Sequence, residues 1–596
     1  MKEKNKFIIK IAIIVILIII LSLVVKFLLF SNNSNTANLN NSNYQSNSND
    51  TVDFTETSSS VEISDIKSEN YSSFTAKINL STMEVEEGTG VSIKNNVITI
   101  SKEGTYYITN TSTDASIEID ASDNAKIVLV FDNASITSKN TPAINVKKAK
   151  SVTINLIENT TNTIKTTGEY SKLDSDGEPD GAIFSKSDLY ITGKGKLTIE
   201  TDYKDGIVSK DGLAIVDATI NIISEDDGIR GKDYTSINNA NITINSNGDG
   251  IKSTNDSDSS LGYIVIKDST INITSNADGI QAKTIVNITE SNINIKTTGE
   301  ISKNNTQSDT SDTTSSKGIK SGKEITINSG NFTINSTDDS IHSNNYIIIN
   351  GGTFNISTND DGIHADTNIL INNADLTINK SYEGIEAKYI KINDGTIKVY
   401  ASDDGINVSG GNSNQFGGNI GSSSSGEVNE NARQLIINGG NIYVKSDGDG
   451  LDSNGSIVLN GGYTLIVGTT SNGDSALDYD DIFNVNGGTL IYYGSTGMWQ
   501  NPSSSSKEYS LCFNASGNNG DNIVLKDTDG NTIVSFTTES SYQAITIASE
   551  NIKNNETYTL YINGNENSSQ TVSSIVTSNL TTSGMNNGGM RGKMNR

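Results

Sequence analysis

The segment DSIHSNNYIIINGGTFNISTNDDGI, residues 339–363, holds one whole unit of a repeat and the opening of the next. Asp339-Ser340-Ile341 begins the unit, and Asp361-Gly362-Ile363 begins its successor 22 residues later. Working outward, the same phrase stands at Lys317 and Glu383, each another 22 residues away, and at Asp404 after 21. Upstream it starts at Asp205, Asp227, Asp249 and Asp278, and downstream at Asp449. The longer steps coincide with Ser/Thr/Asn-rich stretches at 301–316 and 410–430, which read as loops extruded from single turns.

Within each unit the apolar residues fall in three places. The isoleucine of the phrase makes one ladder, from Ile207 and Ile229 to Ile385 and Ile406. Two further pairs alternate with period two, as in Ile325/Ile327 and Phe332/Ile334, and period two means strands. Turn-forming Asn-Gly-Gly sequences at Asn350, Asn438, Asn460 and Asn486 lie between them. Three short strands per turn of about 22 residues, with inward β-branched ladders, predict an all-β fold, a parallel β-helix of triangular section. A leucine-rich repeat shares the period but lacks its leucine spacing and helical half, so it ranks behind. The β-helix is expected over residues 70–500, with irregular first rungs before Tyr203. A small C-terminal β cap or module is expected over 501–563, and a disordered tail over 564–596.

Residues 1–6 are basic and would remain cytoplasmic. Residues 7–30 are almost continuously apolar and read as an N-terminal transmembrane helix, or as a signal peptide that is removed. Everything beyond would then lie outside the cell. Residues 31–69, Asn/Ser-rich, read as a disordered linker. Lys+Arg 43 against Asp+Glu 70 gives a net charge of −27, which disfavours nucleic acid and anionic lipid surfaces and favours cations and neutral polymers. A single cysteine, Cys512, excludes an intramolecular disulfide and cysteine-based zinc or iron–sulfur sites.

Equivalent residues of successive rungs stack about 4.8 Å apart, so one acidic residue becomes a column. Asp338, Asp360 and Asp403 precede the motif acids Asp339, Asp361 and Asp404, with Glu383 between. Two such charges repel by about 3–4 kcal/mol at an effective dielectric near 20. Either several acids have raised pKa values or cations bridge them, unless the acids are simply solvated and cap turn amides. Oxygen ligands of this kind suit calcium, and the candidate ligands are Asp338, Asp339, Asp360, Asp361, Asp366, Glu383, Glu386, Asp403, Asp404, Asp449 and Asp452. Three residues after each motif acid a second column runs Val208, Arg230, Lys252, Gln281, Lys320, His342, His364, Glu386, Asn407, Asp452. His342 beside His364 reads as a surface pair near acids, with a transition-metal site as the other reading. Lys210-Asp211 lies one rung from Lys232-Asp233, which is either a structural charge pair or a patch for sugar hydroxyls and uronate carboxylates.

The segments Ala182-Ile183-Phe184-Ser185-Lys186-Ser187-Asp188-Leu189, Asp205-Gly206-Ile207-Val208-Ser209-Lys210-Asp211 and Asp226-Asp227-Gly228-Ile229-Arg230-Gly231-Lys232-Asp233 resemble the signature of the clostridial carbohydrate-binding domain family. The resemblance runs over about residues 70–563. It implies a right-handed, pectate-lyase-like β-helix, secreted or on the cell surface, containing calcium and binding cellulose and acidic pectin. Ser187 departs from it, standing where the family would have Asp, as do the Ser-rich insertions. An N-terminal membrane segment in place of a cellulosome-attachment module points to retention on the producing cell.

The expected function is therefore a non-catalytic, monomeric, calcium-dependent or calcium-stabilised polysaccharide binder. The carbohydrate-binding candidates are Asp205, Lys210, Asp211, Asp227, Arg230, Lys232, Asp233 and Trp499, with Tyr382, Tyr389, Tyr400, Tyr443, Tyr492 and Tyr493 as further rings for stacking on sugars. A polysaccharide lyase of the same fold is the alternative and would need a cationic base beside calcium. Arg230, flanked by acids, reads as an ion-paired structural residue instead. A β-helical adhesin or surface spacer is the third reading.

Overall fold

The computed structural model describes residues 66–299, 315–409 and 433–580. The expected cytoplasmic end, membrane segment and nearly all of the linker lie outside these residues, as do most of the two extruded loops. The described residues form strands, turns and bends without a helix, so none of them makes a helix long and apolar enough to cross a membrane.

Strands repeat in sets of three, and each pairs in parallel with its counterpart one rung on. Asp205–Ser209 pairs with Ile229–Gly231, Gly212–Val216 with Tyr234–Asn238, and Thr219–Ser224 with Asn241–Ser246. This is the register of a β-solenoid with three strands per turn. The isoleucine ladder is in register from Ile207 through Ile229, Ile251, Ile280, Ile319, Ile341, Ile363, Ile385 and Ile406 to Leu451 and Leu477. All of these side chains are buried, and they merge with the inward residues of the other two strands into one core. β-Branched side chains suit it because the pleat fixes their rotamer and parallel register stacks like on like. Phe332 and Phe354 do the same, ring on ring at 4.7 Å.

The residue types of the Asn-Gly-Gly turns tolerate positive φ, and one position of each adopts it. The second glycine takes that conformation, at Gly352, Gly440, Gly462 and Gly488. The asparagines stack instead. Each side-chain amide donates to the side-chain oxygen of the rung before, from Asn350 to Asn328, Asn372 to Asn350, Asn393 to Asn372, Asn438 to Asn393, Asn460 to Asn438 and Asn486 to Asn460, at 2.7–3.0 Å.

Both ends of the parallel stack are closed by antiparallel strands. At the start, Glu84–Gly88 lies on Ala76–Asn79 and Val91–Lys94 on Val97–Ile100. At the end, Tyr542–Ser549 lies antiparallel on Thr489–Gly494 and on Ser510–Gly517. Asn522–Lys526, Thr532–Thr537, Thr557–Ile562 and Asn565–Thr571 form a separate antiparallel sheet. The disordered tail expected from residue 564 therefore starts too early. Asn565–Thr571 hydrogen-bonds to Thr557–Ile562, and Val576–Ser578 pairs with Ser510–Gly517. The polar Asn/Ser composition of these strands suits a sheet edge, where it imitates a disordered tail.

Candidate functional site

The motif acid has two tasks, one for each oxygen. Oδ1 accepts the backbone N–H of the equivalent residue one rung on: Asp205 from Asp227, Asp227 from Asp249, Asp249 from Asp278, Asp278 from Lys317, Asp339 from Asp361, Asp361 from Glu383, Asp404 from Asp449 and Asp449 from Ser475, at 2.6–3.2 Å. The expectation that these acids cap backbone amides is met, with the amide coming from the next rung. Oδ2 is left for the second column, whose register is as expected and gains Asp478 beyond Asp452.

In the earlier rungs that column supplies cations. The Arg230 guanidinium lies 2.6 Å from both Asp180 and Asp205, and Nε donates to Asp205 at 2.7 Å. Although burial opposes its charge, these carboxylates push its pKa further up. The Lys252 ammonium meets Asp249 at 2.6 Å, and the Lys320 ammonium comes within 3.9 Å of Asp278. Lys317 occupies the acid position itself and reaches forward to Asp338 and Asp339, 2.9 Å from each. His342 Nδ1 lies 2.8 Å from Asp339. Burial works to raise Asp339, but Lys317 and the two histidines outweigh it and hold that carboxyl well below its usual range.

From Glu383 onward the column turns acidic. Glu386, Asn407, Asp452 and Asp478 stand where Arg, Lys and His stood. Among the described residues no Lys, Arg or His pairs with Glu383, Asp403, Asp404, Asp449 or Asp452. Burial raises Asp361, Glu383, Asp404, Asp449 and Asp452 first, and neighbouring carboxylates add to it. Asp361 is pushed up to about 8 with Asp339 and Glu386 contributing, and Glu383 to about 9 with Glu386 and Asp361. Asp404 rises to about 6, Asp449 to about 8 and Asp452 to about 7. Asp360, beside Asp339 and Asp338, rises to about 6. In the middle of this stretch Asn407 donates its amide to Glu383 at 2.7 Å, while its Oδ1 is buried without a hydrogen-bond partner. An orphan buried acceptor among carboxylates lacks a donor, and a hard cation would supply what it lacks.

The other expected residues fall in three groups. Asp338, Asp339 and Asp360 come together, but with the Lys317 ammonium among them. Asp366 is half exposed at the rim, near His364. Of the sugar candidates, Lys210 meets Glu178 at 2.5 Å, Asp233 accepts from Asn255 at 2.6 Å, Asp211 is exposed, and Lys232 stands one rung from Lys210. Trp499 lies ring to ring with Tyr492 at 5.0 Å and donates to Asn501.

Two expectations are corrected. The histidines are not a surface pair: His342 is buried, its Nε2 3.0 Å from Asn344, and His364 is three-quarters covered. Tyr389, Tyr492 and Tyr493 are buried and offer no face to a sugar: Tyr492 packs in the solenoid core, and Tyr493, on the opposite face of the same strand, is covered by Phe536 and Tyr542; Tyr382 and Tyr400 are the exposed rings. Asp180, Glu178 and Asp478 escaped the sequence reading. Asp478 follows Ser475-Ala476-Leu477, a degenerate phrase 26 residues after Asp449, and Asp180 precedes the regular period.

Residues 94–362 match the model of a family described as carbohydrate-binding domain-containing protein, a narrower span than the resemblance in the sequence suggested. A protein of that description from Acetivibrio thermocellus is 30% identical over 135 residues, 22% of this chain, which spans about half of that relative's length (47%). A solved structure, described as a polysaccharide lyase-like protein from C. thermocellum in a gadolinium derivative, is 27% identical and covers 38% of this chain and 91% of its own, with a TM-score of 0.36. The cation-compensated rungs lie within the matched span and the acid-only rungs beyond it, so it is residues 94–362 that carry the likeness to the carbohydrate-binding domain-containing family.

Proposed function

We propose that this chain is a non-catalytic, monomeric, right-handed β-helix at the cell surface that binds polysaccharide of the pectin or cellulose type with the help of calcium. It is held by residues 7–30, or released where that segment is cleaved. The observation that carries the calcium reading is the buried, unpartnered Asn407 oxygen, whose rung lies between that of Glu383 and that of Asp449 and Asp452. Carboxylates and an amide carbonyl without a neighbouring base are a hard-cation donor set, and calcium takes six to eight oxygens. Coordination positions facing solvent are then free for uronate carboxylates, which joins a protein of net charge −27 to an acidic polymer that would otherwise be repelled. Exposed Tyr382, beside Asp403, and Tyr400 offer rings for pyranose faces on the same rungs.

The lyase alternative is weaker on the same geometry. A base must release its proton and accept another, and Arg230 is locked between Asp180 and Asp205 with its charge reinforced. Lys210 is committed to Glu178.

The test is migration of the full-length protein in native gels containing polygalacturonate, with calcium and with a chelator. Retardation in calcium alone supports the proposal. Equal migration in both gels and in plain gel overturns the acidic-pectin reading and leaves neutral glucans or an adhesin.

A further inference from the structure

The chain has two histidines in 596 residues, and the fold brings them to adjacent rungs of one column, rings 4.9 Å apart. Their surroundings differ. His342 is satisfied at both nitrogens, by Asp339 at 2.8 Å and Asn344 at 3.0 Å, and the Asp339 oxygen it meets also receives the Lys317 ammonium. His364 stands at the point where the column turns from basic to acidic. Its nitrogens face four carboxylates, Asp361 at 3.3 Å, Asp339 and Glu386 at 3.7 Å and Asp366 at 3.8 Å. These distances exceed the roughly 2.7–2.9 Å of a charge-assisted hydrogen bond.

We propose that the His364 imidazole with the Asp361 and Glu386 carboxylates forms a site for one zinc-class divalent ion, separate from the all-oxygen rungs beyond it. Ligand atoms of these three residues lie within 4.8 Å of one another. Two ligands about 2.0–2.1 Å from a tetrahedral ion sit about 3.3 Å apart, so atoms already within 4.8 Å of one another need close by no more than about 1.5 Å to share one. Electrostatics selects Nε2 as the ligating nitrogen. Nδ1 faces Asp361 and also Asp339, where an added ion would meet the Lys317 ammonium, whereas Nε2 faces Glu386 and Asp366, with no base beside them among the described residues but the imidazole itself. A divalent ion there offsets two carboxylates while His364 stays neutral. Imidazole also discriminates: it suits zinc, nickel and copper, while calcium prefers the purely oxygen donors further along. His364 and Glu386 each keep part of their surface open, which gives the ion a way in.

Zinc is titrated into metal-stripped, full-length protein in competition with a chromophoric chelator, in the presence and absence of a hundredfold excess of calcium. Cobalt is then substituted and its visible absorption recorded. One equivalent of zinc that calcium does not displace, weakened at least tenfold in both His364→Gln and Glu386→Gln, is the expected result. Far-UV circular dichroism checks that each variant is folded, and the second variant preserves the test where the first does not fold. Zinc binding unchanged in a folded His364→Gln protein, or zinc fully displaced by calcium, overturns the proposal. Neither result bears on polysaccharide retention, which is read in the gels.

Discussion

An aspartate at a β-turn is ordinarily read as a polar residue at ease with solvent, and here that reading misses half of what the side chain does. Each motif aspartate ties its rung to the next through an amide N–H and leaves its other oxygen to the second column, met on its own rung, as Asp249 is by Lys252, or from the next, as Asp205 is by Arg230. Arg230 shows the consequence. Its guanidinium answers Asp205, which is almost fully buried, and Asp180. Arg230→Ala leaves both charges without a partner and is expected to destabilise the protein by about 3–5 kcal/mol in chemical denaturation. Arg230→Lys, which keeps the charge but loses the fork, should recover only part of that. A loss below about 1 kcal/mol in the alanine variant would mean that the pair is solvated.

At the scale of a rung, the glycine of the phrase is present for space more than for turn geometry. A Cβ on Gly228 would sit 2.5 Å from Ile244 Cγ2 and 2.6 Å from the Gly250 carbonyl oxygen of the next rung. Ser340 and Ala476 carry a Cβ at the equivalent position, so a rung can be built around one; a rung already packed around glycine must move to take it. Gly228→Ala should cost about 1–3 kcal/mol, measured by denaturant midpoint, with no change in cation binding at the far rungs. The acid-only rungs make a pH prediction. Glu383, Asp404, Asp449 and Asp452 are all shifted upward from 3.8 or 4.5, to about 6–9. A carboxyl that holds its proton in the folded rung at a pH where the unfolded chain releases it stabilises fully below about pH 4, and that stability is lost as pH rises through about 6–9. In chelator the melting temperature should therefore fall between pH 5 and pH 9, and calcium should raise it more at pH 9 than at pH 5. Calorimetry showing equal calcium effects at the two pH values would sink the idea. The sole tryptophan, Trp499, adjoins Gln500, whose amide donates to Asp478, so its fluorescence reports on that end of the stack.

For the whole molecule, a parallel stack has two open ends, and unpaired strands invite association with other chains. Antiparallel strands close both, and the closing sheet at the C-terminal end extends through residues that composition assigns to a tail. Ending the chain at residue 563 removes the partners of Thr557–Ile562 and Ser510–Gly517. Such a protein should scatter more light at equal concentration than the chain that keeps residues 564–596. The charge gradient also belongs to this scale: each rung is unremarkable, and only the order of rungs converts a compensated column into an acidic one.

The period of 22, the apolar alternation and the stacking of like on like followed from the amino-acid sequence by itself, because a solenoid brings together residues at a constant separation along the chain. The column from Val208 to Asp452 could be written down for that reason. Only the tertiary structure decided which oxygen of each acid is spoken for, since an amide from the next rung leaves no trace in a spacing. It also decided that Lys317 neutralises the acids ahead of it, that Asp180 and Glu178 reach in from before the regular repeat, and that Tyr492 is buried in the core while Tyr493 is covered by the C-terminal strands. These depend on the direction and reach of side chains within a rung, which the repeat length does not encode.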